Sequence, residues 1–174
     1  MVGVVGAPHK VALCRDLGAD AVIDKSAEDL WTAAERCSPG GYDVVLDPNG
    51  YSTLQASYEH LAQSGRLLTF GFASMLPRTG GTANPLKLAR DWLRTPRFDP
   101  MKLCYENRGV IGFNVVHMFE RRKLLAAAMG EFLDWIRTGR YRPPVVTSYP
   151  MADVARAHAD IESGRTTGKL ILTT

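Results

Sequence analysis

The side chains able to do chemistry in this 174-residue sequence stand at turns rather than in catalytic arrays. The stretch "VGVVGAPHK" at 2–10 puts Gly6 after an apolar run and Lys10 at the start of a helix, with His9 beside it. A helix N-terminus favours anions, and a lysine there adds a full positive charge. No Asp or Glu precedes Asp16. In a dinucleotide-binding fold an acid at the end of the second strand bonds the ribose hydroxyls of NAD, whereas a cation suits the 2′-phosphate of NADP. Gly6 and Lys10 therefore suit a phosphate; a solvated surface lysine is the other reading.

Two further turns have similar chemistry. "LDPNG" at 46–50 follows "YDVV", and "TFGFAS" at 69–74 follows "RLL". Both put small or polar residues, Asn49 and Gly50 in one and Phe70, Gly71, Phe72 and Ala73 in the other, at the carboxyl ends of strands. Open α/β sheets bind ligands at such ends, and Gly71 lets the backbone approach a flat ring closely. Ordinary strand-to-helix turns use the same residue types, so spacing leaves both readings open. His60 and His158 lie in helical patterns with no partner four residues on, and His117 has no acid nearby to orient it. No GxSxG, HExxH or paired-carboxylate pattern occurs. Cys14, Cys37 and Cys104 are far apart and form no CxxC pair, which argues against a disulfide framework or a zinc knuckle.

The elements that must carry these turns alternate. Pro8 opens a helix that runs to Gly18, and "DAVID" at 20–24 is a strand. Ser26, with Asp29 three residues on, reads as a capping box for "EDLWTAAER". "YDVVLD" at 42–47 has the continuous apolar pattern of a strand covered on both faces. Ser52 can cap a helix with Leu54, Tyr58 and Leu61 on one face, stopped by Gly65, and "RLLTF" at 66–70 is the next strand. A long glycine-rich loop fills 71–85, and Asn84–Pro85 opens a helix through about Arg94. "RGVIGFNV" at 108–115 reads as a strand and 118–139 as a long amphipathic helix. An edge strand in "PPVVTSYPM", a helix in "ADVARAHADIES" and a closing strand in "GKLILTT" complete the pattern. Strands alternating with helices specify an α/β fold with a parallel sheet.

Composition is that of an ordinary globular protein: 45% hydrophobic, 22% charged and a net charge of +3. The longest basic run is "RRK" at 121–123, so no nucleic-acid partner is expected. No apolar stretch approaches the roughly 20 residues of a membrane helix, so no transmembrane segment is expected. Unpaired thiols fit a reducing cytoplasm.

Taken together, "VGVVGAPHK", "LGADAVID", "YDVVLDPNG", "GRLLTFG" and the closing "PMADVARAHADIESGRTTGKLILT" resemble the medium-chain dehydrogenase/reductase superfamily, in its zinc-independent quinone oxidoreductase branch. The middle segments, "NPLKLARDWLRTPRFDPMKL" and "NRGVIGFNV", are similar to the synaptic vesicle membrane protein subgroup of that branch. The resemblance implies a Rossmann-type parallel sheet with flanking helices that lacks its first βα unit. It makes 1–139 an incomplete cofactor-binding domain, and 140–174 a segment returning to a GroES-like catalytic domain. On this reading the chain is the later half of a family member, with the zinc ligands in the other half and no metal site here.

Residue by residue, the resemblance gives Gly6 and Lys10 to the 2′-phosphate of NADPH. Lys25 takes the place where a Tyr or His commonly contacts the adenosine half, and Asn49 and Gly50 lie near the adenine and ribose. Phe70, Gly71, Phe72 and Ala73 go to the loop beside the nicotinamide ribose, and Phe113, Asn114 and Val115 to the nicotinamide pocket. Gly168–Lys169 matches the final turn. The segment 109–115 would also pair two copies into a homodimer. The implied activity is NADPH-dependent reduction of a small quinone or enone, with no catalytic group identified. A non-enzymatic binding or scaffold protein, or an inactive fragment that binds NADPH poorly alone, are the other readings.

Overall fold

The computed structural model describes residues 1–75 and 84–174. It gathers them into two compact units, Met1–Phe113 and Asn114–Thr174. Residues 76–83 of the expected 71–85 loop lie outside the described residues. The boundary expected at 139/140 falls within the second unit; the division of roles between 1–139 and 140–174 remains a proposal.

In the first unit β1 (Val2–Val5) leads through α1 (Val11–Asp16) to β2 (Ala21–Asp24), and the two strands pair in parallel from Val2↔Ala21 to Val5↔Asp24. After α2 (Leu30–Cys37), β3 (Tyr42–Asp47), α3 (Leu54–Glu59) and β4 (Leu61–Thr69) make the next crossover. Helices α4 (Pro85–Arg94) and α5 (Pro100–Glu106) precede β5 (Gly109–Gly112). The order β3-β4-β5 is again wholly parallel. The parallel sheet, expected to lack its first βα unit, is in pieces: among the described residues β1 and β3 each pair on one side only, and no ladder joins them.

Alternation along β3, β4 and β5 turns one set of apolar residues inward. Leu54, Tyr58, Leu61 and Leu67 are buried together, with Val45, Phe98, Leu103 and Val110 packed around them. The alternate residues Val44, Leu46 and Ile111 are about half exposed or more. A second cluster packs Ile23 with Ala33 and Ala34 of α2, against Val2, Leu30 and Tyr42. The Tyr42 hydroxyl donates to the Ala34 carbonyl at 2.7 Å and ties α2 to β3.

The second unit holds α6 (Arg122–Arg137), β6 (Val146–Pro150), α7 (Val154–Glu162) and β7 (Lys169–Thr173). Strands β6 and β7 pair in parallel across α7, and the buried Tyr149 donates its hydroxyl to Asp160 at 2.8 Å.

Several expected boundaries move. Ser26 does not cap α2: its amide and hydroxyl bond to Asp24, and Asp29 accepts the Thr32 amide instead. Thr53, not Ser52, sits at the N-cap of α3. Leu61 leaves that helix to begin β4, because it pairs with Tyr42, and Gly65 lies inside the strand. The strand expected at 108–115 stops at Gly112, and Val115–Met118 is a 3₁₀ turn that delays α6 to Arg122. Helix α5 was not expected, although Asp99 caps it and Pro100 opens it.

Candidate functional site

The candidate residues of the first unit sit at or just beyond the carboxyl ends of its strands. Gly6 follows β1 directly. A Cβ placed on it would lie 3.4 Å from Cε of Lys25, so the Lys25 side chain runs beside bare Gly6 backbone. The Lys25 amide donates to the Val5 carbonyl at 3.0 Å, which fixes the start of that approach. Lys10 does not open an α-helix. It closes a 3₁₀ turn, Pro8–Lys10, its amide bonding Ala7 at 3.1 Å, and α1 begins one residue later.

An acid does stand beside the end of β1. Parallel pairing sets Asp24 opposite Val5, a neighbour that inspection along the chain does not reveal. Its Oδ1 accepts the Ser26 hydroxyl at 2.6 Å and the Ser26 amide at 2.9 Å. The hydroxyl first, then the amide, hold the carboxyl below the usual carboxylate range, and the charge of His9 acts in the same direction. A lowered folded-state pKa stabilises the fold above the unfolded value, and that contribution is lost as pH falls through the lowered one. Replacing Ser26 by Ala is expected to raise the Asp24 midpoint in a carbon-detected NMR titration; an unmoved midpoint would refute the assignment.

The turns after β3 and β4 pack back to back. Asp47, 2% exposed, is the hub. Its Oδ1 accepts the amides of Asn49 at 2.8 Å and Gly50 at 3.1 Å, and its Oδ2 accepts the hydroxyls of Thr53 at 2.7 Å and Ser57 at 2.8 Å. Asn49 returns its carbonyl to the Ser74 amide and hydroxyl, at 3.0 and 2.7 Å. The Ala73 amide bonds the Pro48 carbonyl at 3.1 Å. A Cβ at Gly71 would come within 2.6 Å of that same carbonyl oxygen, so the approach requires glycine. The rings of Phe70 and Phe72 stay about half exposed. Ser74 also accepts Lys87 Nζ at 3.2 Å on its carbonyl, and Lys87 is paired with the buried Asp91 at 2.7 Å.

Phe113, at the end of β5, donates its amide to the Thr69 carbonyl at 2.9 Å and leaves its ring half exposed. Among the described residues the Thr69 hydroxyl oxygen is buried with no hydrogen-bond partner. In the second unit, Asn114 accepts the Val116 amide at 3.0 Å and caps the 3₁₀ turn in which Val115 lies.

Among the proposed residues, Lys25, Asn49 and Phe70 line one cleft of about 1000 Å³, together with Asp47 and the strands β1 and β3. Gly6, Gly50, Gly71, Phe72, Ala73 and Phe113 flank these positions in sequence or by the contacts above. The set suits a phosphorylated nucleotide: a lysine beside bare glycine backbone for a phosphate and exposed aromatic edges for a ring. Sequence reasoning missed Asp24, Asp47, Thr69 and Ser74. Only Asp47 left a signal, since Asp-Pro-Asn-Gly is the composition of an Asx turn. Among the described residues no three His, Cys, Asp or Glu side chains stand close enough together to hold a metal ion, so they do not fit a zinc site.

Residues 17–172 match the family model described as zinc-binding dehydrogenase. The chain is 31% identical over 152 residues to the synaptic vesicle membrane protein VAT-1 homolog of Danio rerio, covering 87% of this chain and 31% of that protein. It is 28% identical over 173 residues to a quinone oxidoreductase of Pseudomonas aeruginosa, covering 99% and 48%. A mycobacterial protein solved in complex with NADPH superposes with a TM-score of 0.73 at 27% identity, again over 99% and 48%. The chain spans less than half the length of these relatives.

Proposed function

Because the chain belongs to the zinc-binding dehydrogenase family, we propose that it forms the cofactor side of an NADPH-dependent reductase of quinones or enones. The observation that carries this reading is the placement of Lys25 against Gly6, beside a turn pair in which Asp47 fixes Asn49 and Gly50 while Gly71 packs against Pro48. It is supported by the P. aeruginosa relative, a quinone oxidoreductase, and by the mycobacterial structure, a complex with NADPH.

On this reading Gly6, Lys10 and Lys25 hold the 2′-phosphate and the adenosine end. Asn49 and Gly50 border the adenine and ribose. Phe70, Gly71, Phe72, Ala73 and Phe113 orient the nicotinamide ribose, and Asn114 and Val115 keep their assignment near the nicotinamide. NADPH, when bound, supplies the hydride; the chain supplies position and electrostatics. No side chain described above is assigned as a general acid. The compartment proposed is the cytoplasm. No helix among the described residues is long and apolar enough to cross a membrane.

A full-length chain carrying these residues tests the assignment. A charge-assisted hydrogen bond to a phosphate is worth about 1.5–3 kcal/mol, so Lys10→Ala is expected to weaken NADPH roughly ten- to hundredfold and to leave NADH nearly unchanged. Equal losses for both cofactors would overturn the 2′-phosphate role, and binding of neither would favour a non-enzymatic family member.

The same full-length chain is proposed to form a homodimer through 109–115. Strand β5 is four residues long and lies at the end of its sheet, and exposed edges invite pairing. Light scattering is expected to give twice the chain mass; a monomer at micromolar concentration would count against this interface.

A further inference from the structure

The ion pair on α4 runs against the field of its own helix. Lys87 stands in the first turn, where the Asn84 side chain accepts the Leu86 and Lys87 amides, and Asp91 stands four residues on. A cation is disfavoured at a helix N-terminus, and at this spacing an acid before a base is the better order. Asp91 is also fully covered, at 0% exposure, and burying a carboxylate is costly unless its oxygens are matched. Both are matched here: Oδ2 accepts Lys87 Nζ at 2.7 Å, and Oδ1 accepts Arg90 Nε and Nη2 at 3.2 and 3.1 Å. Helix stability does not account for this arrangement. What it gives Lys87 is a second acceptor outside the helix, the Ser74 carbonyl at 3.2 Å. On its other side Ser74 donates its amide and hydroxyl to the Asn49 carbonyl, at 3.0 and 2.7 Å, and the Asn49 amide bonds Asp47. Ser74 is thus gripped on its amide side through one covered carboxylate, Asp47, and on its carbonyl side through another, Asp91.

We propose that Lys87, held in place by Asp91, is a positioning residue: it fixes the Phe70–Ser74 turn so that the nicotinamide half of the cofactor is set for hydride transfer, a role that rests on the cofactor reading above. Lys87 acts through the Ser74 carbonyl and the backbone that carries Phe70 and Phe72, whose rings stay about half exposed. Its influence therefore falls on the nicotinamide end. The adenine end, assigned to Gly6, Lys10 and Lys25, does not depend on it.

The test places Lys87→Met in the 174-residue chain and in a full-length chain carrying these residues. Arg90 stays on Asp91 in this variant, so the covered carboxylate keeps a partner and the melting temperature is expected to hold. In the 174-residue chain the Ser74 amide is expected to exchange hydrogen about tenfold faster. In the full-length chain kcat with NADPH is expected to fall about ten- to hundredfold, the size of effect that a small misplacement of reacting groups produces. Affinity for adenosine 2′,5′-bisphosphate, which carries only the adenine end of the cofactor, is expected to stay unchanged. Lys87→Arg keeps the charge and the donors and is expected to recover most of the loss. Lys102→Met is the control: Lys102 pairs with Glu106 at the same four-residue spacing on α5, at 3.7 Å, and its loss is expected to move none of these readouts. Unchanged kcat, unchanged exchange at Ser74, or a loss at the adenine end equal to that in kcat would overturn the role of Lys87. Binding of neither NADPH nor the bisphosphate by the unsubstituted full-length chain would overturn the cofactor reading, and this role with it.

Discussion

Asp47→Ala is expected to remove a large part of the stability of the first unit. The carboxylate is 2% exposed and accepts four hydrogen bonds, from Asn49, Gly50, Thr53 and Ser57. Hydrogen bonds to a charged group are worth about 1.5–3 kcal/mol each, and a buried partner left unsatisfied loses its desolvation as well. The four share one acceptor and do not add fully. Even at half their sum the loss is about 3–6 kcal/mol, against roughly 5–15 kcal/mol for a whole domain. Asp47→Asn keeps an oxygen for the two amides but loses the charge, and should fall between alanine and the unchanged chain. Urea unfolding followed by circular dichroism reads the difference. An alanine variant within about 1 kcal/mol of the original would show that the turn does not depend on this hub.

Gly50→Ala is expected to cost nearly as much, for a steric reason. Gly50 has φ +83°, a region that side chains other than glycine rarely adopt. Its new Cβ would stand 2.7 Å from Cδ1 of Phe72 and 3.1 Å from the Phe72 Cα. The ring can swing aside, but the Cα belongs to the opposing turn and cannot move without breaking the Ala73–Pro48 and Ser74–Asn49 bonds. Strain and overpacking each cost about 1–3 kcal/mol. Gly112→Ala is the control: among the described residues nothing lies within 4 Å of its Cβ position, so little change is expected there. If the two variants melt alike in urea, the back-to-back packing of the turns is not what holds them.

Local chemistry was legible in the sequence wherever it also decided the structure. Tyr42–Asp47 is the strand expected, because an apolar run between two turns has few other uses. Asn84 caps α4 as its position before Pro85 suggested, accepting the amides of Leu86 and Lys87. Leu61 defeated the reading because its spacing from Leu54 and Tyr58 suits a helix face, while its burial comes from the strand that pairs with Tyr42. Helix α5 carried its signals, an Asp cap, a first-turn Pro and Asn107 in a left-handed cap, but lacked the length that makes periodicity visible. At the candidate site the turn glycines Gly50 and Gly71 were legible, being local, whereas Lys10, expected at a helix start, closes a 3₁₀ turn and keeps its phosphate role only as a proposal. Asp24 beside Val5 and the orphaned Thr69 hydroxyl depend on strands meeting across the sheet, which no spacing along the chain encodes.

The wholly parallel pairing has a consequence for how the chain acquires its fold. A parallel pair cannot close through a tight hairpin; each must wait for an intervening crossover to be laid down. Loop-closure entropy is spent before any ladder bond repays it, which slows folding and leaves intermediates exposed to aggregation. The circuit from β3 through the six-residue α3 to β4 carries the largest buried cluster with it, since it contains Asp47, Leu54, Tyr58 and Leu67. Residues 42–69 are therefore the expected nucleus. Substitutions there, such as Leu67→Ala, should slow refolding in stopped-flow measurements, whereas Ile23→Ala in the β1–β2 pair should chiefly speed unfolding.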